Sequence, residues 1–185
     1  MLLGDSDVGK SQLFQRILRR KFNPAARPTA GIDFGTMTMK IATGKLVKAQ
    51  VVDTSGLERF RSIIQSYWGL ATGAIIVYDI TNRTSFNEVR RWVRDFKSKA
   101  NKAVDPVIMV VGNKTDLGDK YREVPMHEAQ AYALAQGFLF METSAMDNAN
   151  VELAFSVLLT DVYYVISSHK PAITVSSPQA PSTSL

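Results

Sequence analysis

A three-layer α/β fold, with a mostly parallel sheet, one antiparallel edge strand and helices on both faces, is the class this chain predicts. Short apolar runs alternate with amphipathic stretches, no segment repeats another, and one tight turn links two neighbouring strands. The alternation stacks helices on a parallel sheet, and the turn makes one edge pair antiparallel. The strands fall at Phe34 to Ile41, Leu46 to Asp53, Ala74 to Tyr78, Val107 to Gly112 and Phe138 to Met141, with Thr43-Gly44 as the hairpin between the first two. Ahead of them stand only Met1-Leu2-Leu3, short of a usual strand of about five or six residues. Neighbouring strands are expected to lose ladder partners there, and a fragment and a functional short form are equal readings.

The helices follow from their ends. Ser85 with Glu88 forms a capping box ahead of Val89, Val93, Phe96 and Ala100, whose spacing turns one face inward. Pro125 suits a first turn and Gly137 a C-terminal stop for the helix between them. Asn150 caps a last helix with an apolar core stripe through Val151, Ala154, Phe155, Leu158, Val162 and Ile166.

At 185 residues and 45% hydrophobic content the chain suits one domain, residues 1–170, followed by a disordered Pro- and Ser-rich tail, 171–185. Net charge is +5, with Arg16, Arg19, Arg20 and Lys21 in one run and Arg90, Arg91, Arg94, Lys97 and Lys99 in another. These read as solvated helix faces; an acidic membrane surface or protein partner is the functional alternative, and no nucleic-acid module accompanies them. His127 and His169 lack metal-ligand spacing. No apolar run reaches the roughly 18 residues that span a bilayer and no secretory signal precedes the domain, so a cytoplasmic location is expected. Without cysteine the chain can form neither a disulfide nor a prenylated anchor.

Chemistry concentrates in four stretches: Gly4-Asp5-Ser6-Asp7-Val8-Gly9-Lys10-Ser11, Asp53-Thr54-Ser55-Gly56, Asn113-Lys114-Thr115-Asp116 and Glu142-Thr143-Ser144-Ala145. The first is a phosphate loop, whose backbone N–H groups and following helix N-terminus cradle a polyanion. Lys10 adds a charge for the β- and γ-phosphates and Ser11 a hydroxyl for Mg2+. Asp53 ends an apolar strand where it can hold Mg2+ through the metal's water shell, and the Gly56 N–H can meet a γ-phosphate. Asp116 can accept from N1–H and the exocyclic amine of guanine, a pair of donors adenine lacks, which selects GTP over ATP.

The motifs resemble the Ras superfamily of small GTPases, P-loop NTPases of the small G-protein fold, and within it the Rab family, from Met1 to about Lys170. The Rab-like marks are Gly31-Ile32-Asp33-Phe34, Arg59-Phe60-Arg61-Ser62-Ile63 and Tyr78-Asp79-Ile80-Thr81 with Ser85-Phe86. Gly9 to Leu13, Lys48-Ala49-Gln50, Phe140 to Ala145 and Asn150-Val151-Glu152 resemble the recycling-endosome and trans-Golgi branch, especially plant RabA members. The resemblance implies that Asn113 braces its loop, that the Lys114 stem lies over the base and that the Ser144-Ala145 backbone meets the guanine oxygen. It further implies that Thr29 closes on Mg2+ and γ-phosphate, that Phe22 packs against the base, and that Gln12 and Met146 complete the nucleotide contacts. Exchange factors, GTPase-activating proteins and effectors are the implied partners of a monomer acting on endosome and trans-Golgi membranes.

Departures from the family set further expectations. Leu57 stands where the family has the glutamine that orients attacking water, so binding should persist while hydrolysis suffers. Ser55 replaces a usual alanine. Asp7 puts a carboxylate where the family has a small residue, which should weaken retention and speed exchange. Val52 replaces a tryptophan of an aromatic triad with Phe34 and Tyr67, and Tyr67-Trp68-Gly69-Leu70 is reordered, so effector choice should change. The leading expectation is a Mg-dependent GTP switch of Rab type with slow or defective hydrolysis, in which Lys10, Thr29, Gly56 and Leu57 are the catalytic positions. The alternatives are a non-catalytic interaction module with weak or no nucleotide binding and, more distantly, an ATP-using enzyme.

Overall fold

A computed structural model describes residues 1–25, 29, 31–57, 61–100 and 104–168. The chain runs β1 (Leu2–Leu3), α1 (Lys10–Arg19), β2 (Ile32–Lys40), β3 (Leu46–Thr54), α2 (Arg61–Gln65) and a 3-10 turn at Trp68–Leu70. It continues through β4 (Gly73–Asp79), α3 (Arg83–Lys99), β5 (Val107–Asn113), a 3-10 turn at Thr115–Leu117, α4 (Gly118–Tyr121), α5 (Met126–Ala135), β6 (Leu139–Glu142) and α6 (Val151–Ser168). The strands lie in the order β2-β3-β1-β4-β5-β6, parallel except for the β2–β3 hairpin. Residues 59 and 60 of the Rab-like stretch, and His169 with the tail at 171–185, lie outside the described residues.

Apolar side chains sort onto the two faces as the strand period requires. Leu3, Ile76 and Val110 meet α3, α5 and the 3-10 turn at Trp68, whereas Leu2, Ile75, Val77 and Val111 meet α1 and α6. Short as it is, β1 is fully buried, with Leu2 paired to Asp53 and Ile75 and Leu3 to Ile76. It therefore still joins the two halves of the sheet, and the Thr54 hydroxyl donates to the Leu2 carbonyl at 2.7 Å. Trp68 is fully buried with its ring edge-on to Phe96, centroids 6.0 Å apart, so the reordered Tyr67-to-Leu70 stretch drives a core anchor under α3. Leu70 beside it is 80% exposed.

Two expectations are corrected, the cap of α3 and the reach of the buried stripe on α6, while Asn150 stands at the start of α6 with its carbonyl accepting the Ala154 N–H at 2.9 Å. Asn82 caps α3 in place of Ser85, because its extended backbone lets Oδ1 accept the Ser85 amide at 3.1 Å, starting the helix at Arg83. The Ser85 hydroxyl turns back to the Asn82 carbonyl (2.7 Å), and Glu88 pairs with Arg91 (2.8 Å). The Asn150 carboxamide donates to the Glu142 carbonyl at 2.9 Å, tying the start of α6 to β6. Along α6 the stripe is buried through Val162, but Ile166 is 38% exposed. α6, with 18 residues and a mean hydropathy of 1.4, is also long and apolar enough to cross a membrane by length and composition. Its buried side nevertheless packs on the sheet, and Glu152 and Asp161 interrupt its apolar surface.

Candidate functional site

β1, β3, β4, β5 and β6 are parallel, so their carboxyl ends share one edge of the sheet, where ligand sites of open α/β folds form. The loops leaving that edge enclose a cleft of 360 Å3. All four motif stretches contribute to it or lie directly behind its wall.

The phosphate loop wraps the N-terminus of α1. Gly9 has φ 98, and a Cβ there would sit 2.2 Å from the Asn113 amide nitrogen; Gly56 packs so closely on Asp5 and Ser6 that a Cβ would meet their backbone at 2.3 Å. Both positions need glycine for approach, and Gly9 also for its left-handed backbone. Lys10 is 5% exposed and donates to the Asp5 carbonyl at 2.5 Å. Burial pulls its ammonium down to about 8, opposed by the charges of Asp53, Asp5 and Asp7. Asp53 is 1% exposed, and its Oδ1 has no hydrogen-bond partner. Burial raises its carboxyl above the usual range, while the Ser11 hydroxyl and the Lys10 charge act the other way. The hydroxyls of Ser11 and Thr29 lie 2.5 Å apart.

At the other end the wall is braced by side chains. The Asn113 amide donates to the Val8 carbonyl at 2.9 Å, and its oxygen accepts from the Thr143 hydroxyl (3.1 Å) and the Ala145 N–H (3.2 Å). One buried residue thus locks β5 to the phosphate loop and to the loop after β6. The Ser144 hydroxyl donates to Asp116 Oδ1 at 2.6 Å, leaving the other carboxylate oxygen without this constraint. Lys114 has φ 71 and its ammonium pairs with Asp79 at 2.6 Å.

Ser6, Asp7, Gly9, Lys10, Ser11, Gln12, Phe22, Thr29, Gly56, Asn113, Lys114, Asp116, Ala145 and Met146 line the cleft. Gly4, Asp5, Val8, Asp53 and Ser144 are not among the lining residues, nor is Leu57, whose N–H donates to the hydroxyl of the lining residue Ser55 at 3.2 Å. Asp7 is exposed in the left-handed region at φ 63, and its carboxylate accepts from the Ser6 hydroxyl at 3.3 Å.

The chain matches the Ras family model over residues 1–164. It belongs to the Ras family of small GTPases. Among its relatives are the Ras-related protein Rab-11C of Dictyostelium discoideum, 46% identical over 94% of this chain and 75% of that protein, and RABA4c of Arabidopsis thaliana, 46% identical over 90% and 73%. The Ras-related protein RGP1 of Oryza sativa subsp. japonica is likewise 46% identical, over 90% of this chain and 72% of its own length. These place the chain in the Rab family, on the recycling branch.

Ras-family GTPases bind guanine nucleotide with Mg2+, and the residues here fit both. A buried carboxylate with an unpartnered oxygen, held among two hydroxyls and an ammonium, suits a hard cation that takes oxygen ligands. Backbone N–H groups at a helix N-terminus suit the phosphates.

Residues that sequence reasoning missed support the site from outside. The Arg16 guanidinium donates to the carbonyls of Ala145 (2.6 Å) and Met146 (2.5 Å) and lies over the Phe22 ring, 5.5 Å from its centroid. Read as part of a solvated basic run, it instead clamps the loop after β6 onto α1. The Trp92 indole donates to Asp5 Oδ1 at 2.7 Å, tying α3 to the phosphate loop. Neither contact has a local signal, since the partners lie 129 and 87 residues apart.

Proposed function

We propose that this Rab-type chain is a Mg-dependent GTP-binding switch of vesicle trafficking in which Leu57 impairs hydrolysis and Asp7 accelerates nucleotide exchange. The observation behind it is a single cleft with the orphaned Asp53 carboxylate, Lys10, Ser11 and Thr29 at one end and the braced Asp116 at the other. Lys10 and the backbone from Gly4 to Ser11 would hold phosphates, and Ser11 and Thr29 would ligate Mg2+ with Asp53 behind its water shell. Asn113, Lys114, Asp116, Ser144, Ala145 and Met146 would select guanine, with Phe22 and Gln12 at the rim. The metal, when bound, would neutralise charge on the phosphates.

A leucine side chain can neither donate nor accept a hydrogen bond, so water at the γ-phosphate loses its positioning partner. Intrinsic rates on this fold are already on the order of 10⁻⁴ per second, and Leu57 should push this chain lower. In the same loop Ser55 ties its hydroxyl to the Leu57 amide. The switch would be read by exchange factors, activating proteins and effectors. Its effector surface would be altered at Val52, which faces Phe34 across the β2–β3 ladder, and at Tyr67, whose ring lies 5.7 Å from that of Phe34. Residues 1–170 would form one GTPase domain.

The exposed carboxylate of Asp7 at the mouth of the phosphate loop favours a second reading, a non-catalytic interaction module. Purification with Mg2+, denaturation and chromatography of the released nucleotide separate the two. Bound GTP supports the stalled switch, and bound GDP overturns the impaired hydrolysis. A protein that is empty and refuses added GTP is the interaction module.

A further inference from the structure

The Arg16 guanidinium joins parts of the cleft wall that lie far apart in the chain. Arg16 follows Gln12 by one turn of α1, so both side chains leave the same side of the helix. Gln12 exchanges two hydrogen bonds with the Asn23 backbone, donating to its carbonyl at 3.0 Å and accepting its N–H at 2.9 Å. That pair folds the segment after α1 back along the helix and leaves the Phe22 ring against the guanidinium. The Arg16 donors go to backbone carbonyls: Nε to Ala145 and Nη2 to Met146, with Nη1 3.5 Å from the carbonyl of Arg20. Gln12, Phe22, Asn23, Ala145 and Met146 all line the cleft and Arg16 does not, so it grips this wall from behind. Arg19, Arg20 and Lys21 of the same basic run are exposed, and charge alone therefore does not set Arg16 apart.

We propose, resting on the guanine-nucleotide switch argued above, that Arg16 is a positioning residue for base selection, which aims one donor and one acceptor into the cleft by fixing two peptide units from outside. A trans peptide points its C=O and the following N–H to opposite sides. With the Ala145 and Met146 carbonyls turned out to Arg16, the N–H groups of Met146 and Asp147 turn in. The Asp147 N–H donates to the Ser144 hydroxyl at 2.9 Å, and that hydroxyl donates to Asp116 Oδ1 at 2.6 Å. Arg16 thus stands behind the carboxylate that would read N1–H and the exocyclic amine of guanine.

The donor arm is the Met146 N–H. The Ala145 N–H already goes to Asn113 Oδ1 at 3.2 Å, whereas the Met146 N–H has no acceptor among the described residues. Guanine offers an oxygen at its 6-position and adenine an amino group, so this N–H would satisfy the first and oppose the second. Only a planar fork holds two successive carbonyls while its face lies on an aromatic ring; a lysine ammonium, a point charge on a flexible stem, does not reproduce it.

Arg16→Ala and Arg16→Lys are compared with the unsubstituted chain by amide hydrogen exchange without nucleotide, and by competition of GTP and ATP against a fluorescent GDP. In both variants the Asp147 amide should exchange at least about tenfold faster, while the Ala145 amide, held by Asn113, and the β5 amides from Ile108 to Val111 stay as they were, showing that the fold survives. GTP affinity should fall about 10- to 100-fold with little change for ATP, so the ratio between them narrows by nearly that factor. The acceleration of GDP release by magnesium chelation should be unchanged, because the phosphate end is untouched. Should the alanine variant fail to fold, the lysine variant, which keeps the charge and most of the stem, decides alone. A GTP-to-ATP ratio equal to that of the unsubstituted chain, whether because lysine restores it or because both affinities fall together, overturns the assignment while leaving the switch standing. An unsubstituted chain that binds no guanine nucleotide overturns both.

Discussion

The two ends of the cleft, which the proposed switch would turn to base and to phosphate, are built differently. Around β5 and β6, Asn113 makes three bonds, Ser144 holds one oxygen of Asp116, Lys114 pairs with Asp79, and Arg16 clamps two carbonyls. Around β1 and β3, an Asp53 oxygen has no partner, Lys10 reaches a backbone carbonyl, and Asp7 stands in solvent with a backbone that favours glycine. The first end is complete without ligand. The second has polar groups that phosphate and metal would satisfy, and both departures assigned to nucleotide handling, Asp7 and Leu57, belong to its loops. For the proposed switch, recognition of the base would rest on preorganisation and turnover on what the phosphate end lacks.

Removing Asp116 tests that contrast most severely. Asp116→Ala should weaken GTP binding on the order of 10³-fold in a fluorescent-nucleotide titration while leaving the weak binding of ATP unchanged, because two charge-assisted bonds to guanine vanish. Equal losses for both nucleotides would place the selectivity elsewhere.

Asn113→Ala acts on the frame rather than the ligand. It leaves the Val8 carbonyl, the Thr143 hydroxyl and the Ala145 N–H without their partner, so the denaturant midpoint should fall by an amount equivalent to about 3 kcal/mol. Were the loss much smaller, the base end would not be the rigid half.

Much of this division was legible in the sequence, and the boundary is instructive. Backbone-determined features could be read because glycine, lysine and aspartate at fixed spacing in Gly4 to Ser11 and Asn113 to Asp116 leave few conformations open. The strands β2 to β6 were each found to within a few residues from their apolar runs. Arg16 was misread because a guanidinium's partner is set by tertiary neighbours, and a run of like charges looks the same whether solvated or clamped. The α3 cap was misplaced because Asn82 and Ser85 are both good caps and only backbone conformation separates them. Trp68 gave no sign of burial, since no apolar period runs through the short 3-10 turn that holds it and Leu70 beside it is exposed.

Leu57→Gln sharpens the comparison from the phosphate end. Single-turnover phosphate release should rise roughly 10- to 100-fold, the range expected when a misplaced reactant regains its positioning partner. Nucleotide affinity should hardly change. A flat rate would mean that Ser55, through its bond to the Leu57 amide, fixes this loop in a conformation the glutamine cannot use.

Asp7→Gly has the smallest expected effect and separates charge from backbone. A carboxylate about 4 Å from a phosphate charge would cost roughly 4 kcal/mol at an effective dielectric near 20, but this one is exposed and water screens it. GDP dissociation from the glycine variant should therefore slow by only about tenfold. Asp7→Asn keeps a side chain that tolerates φ 63 while removing the charge. If it slows dissociation as much as glycine does, repulsion by the carboxylate sets the dissociation rate. If only glycine slows it, the left-handed backbone is responsible, and the looseness of the phosphate end resides in the loop's conformation rather than in its field.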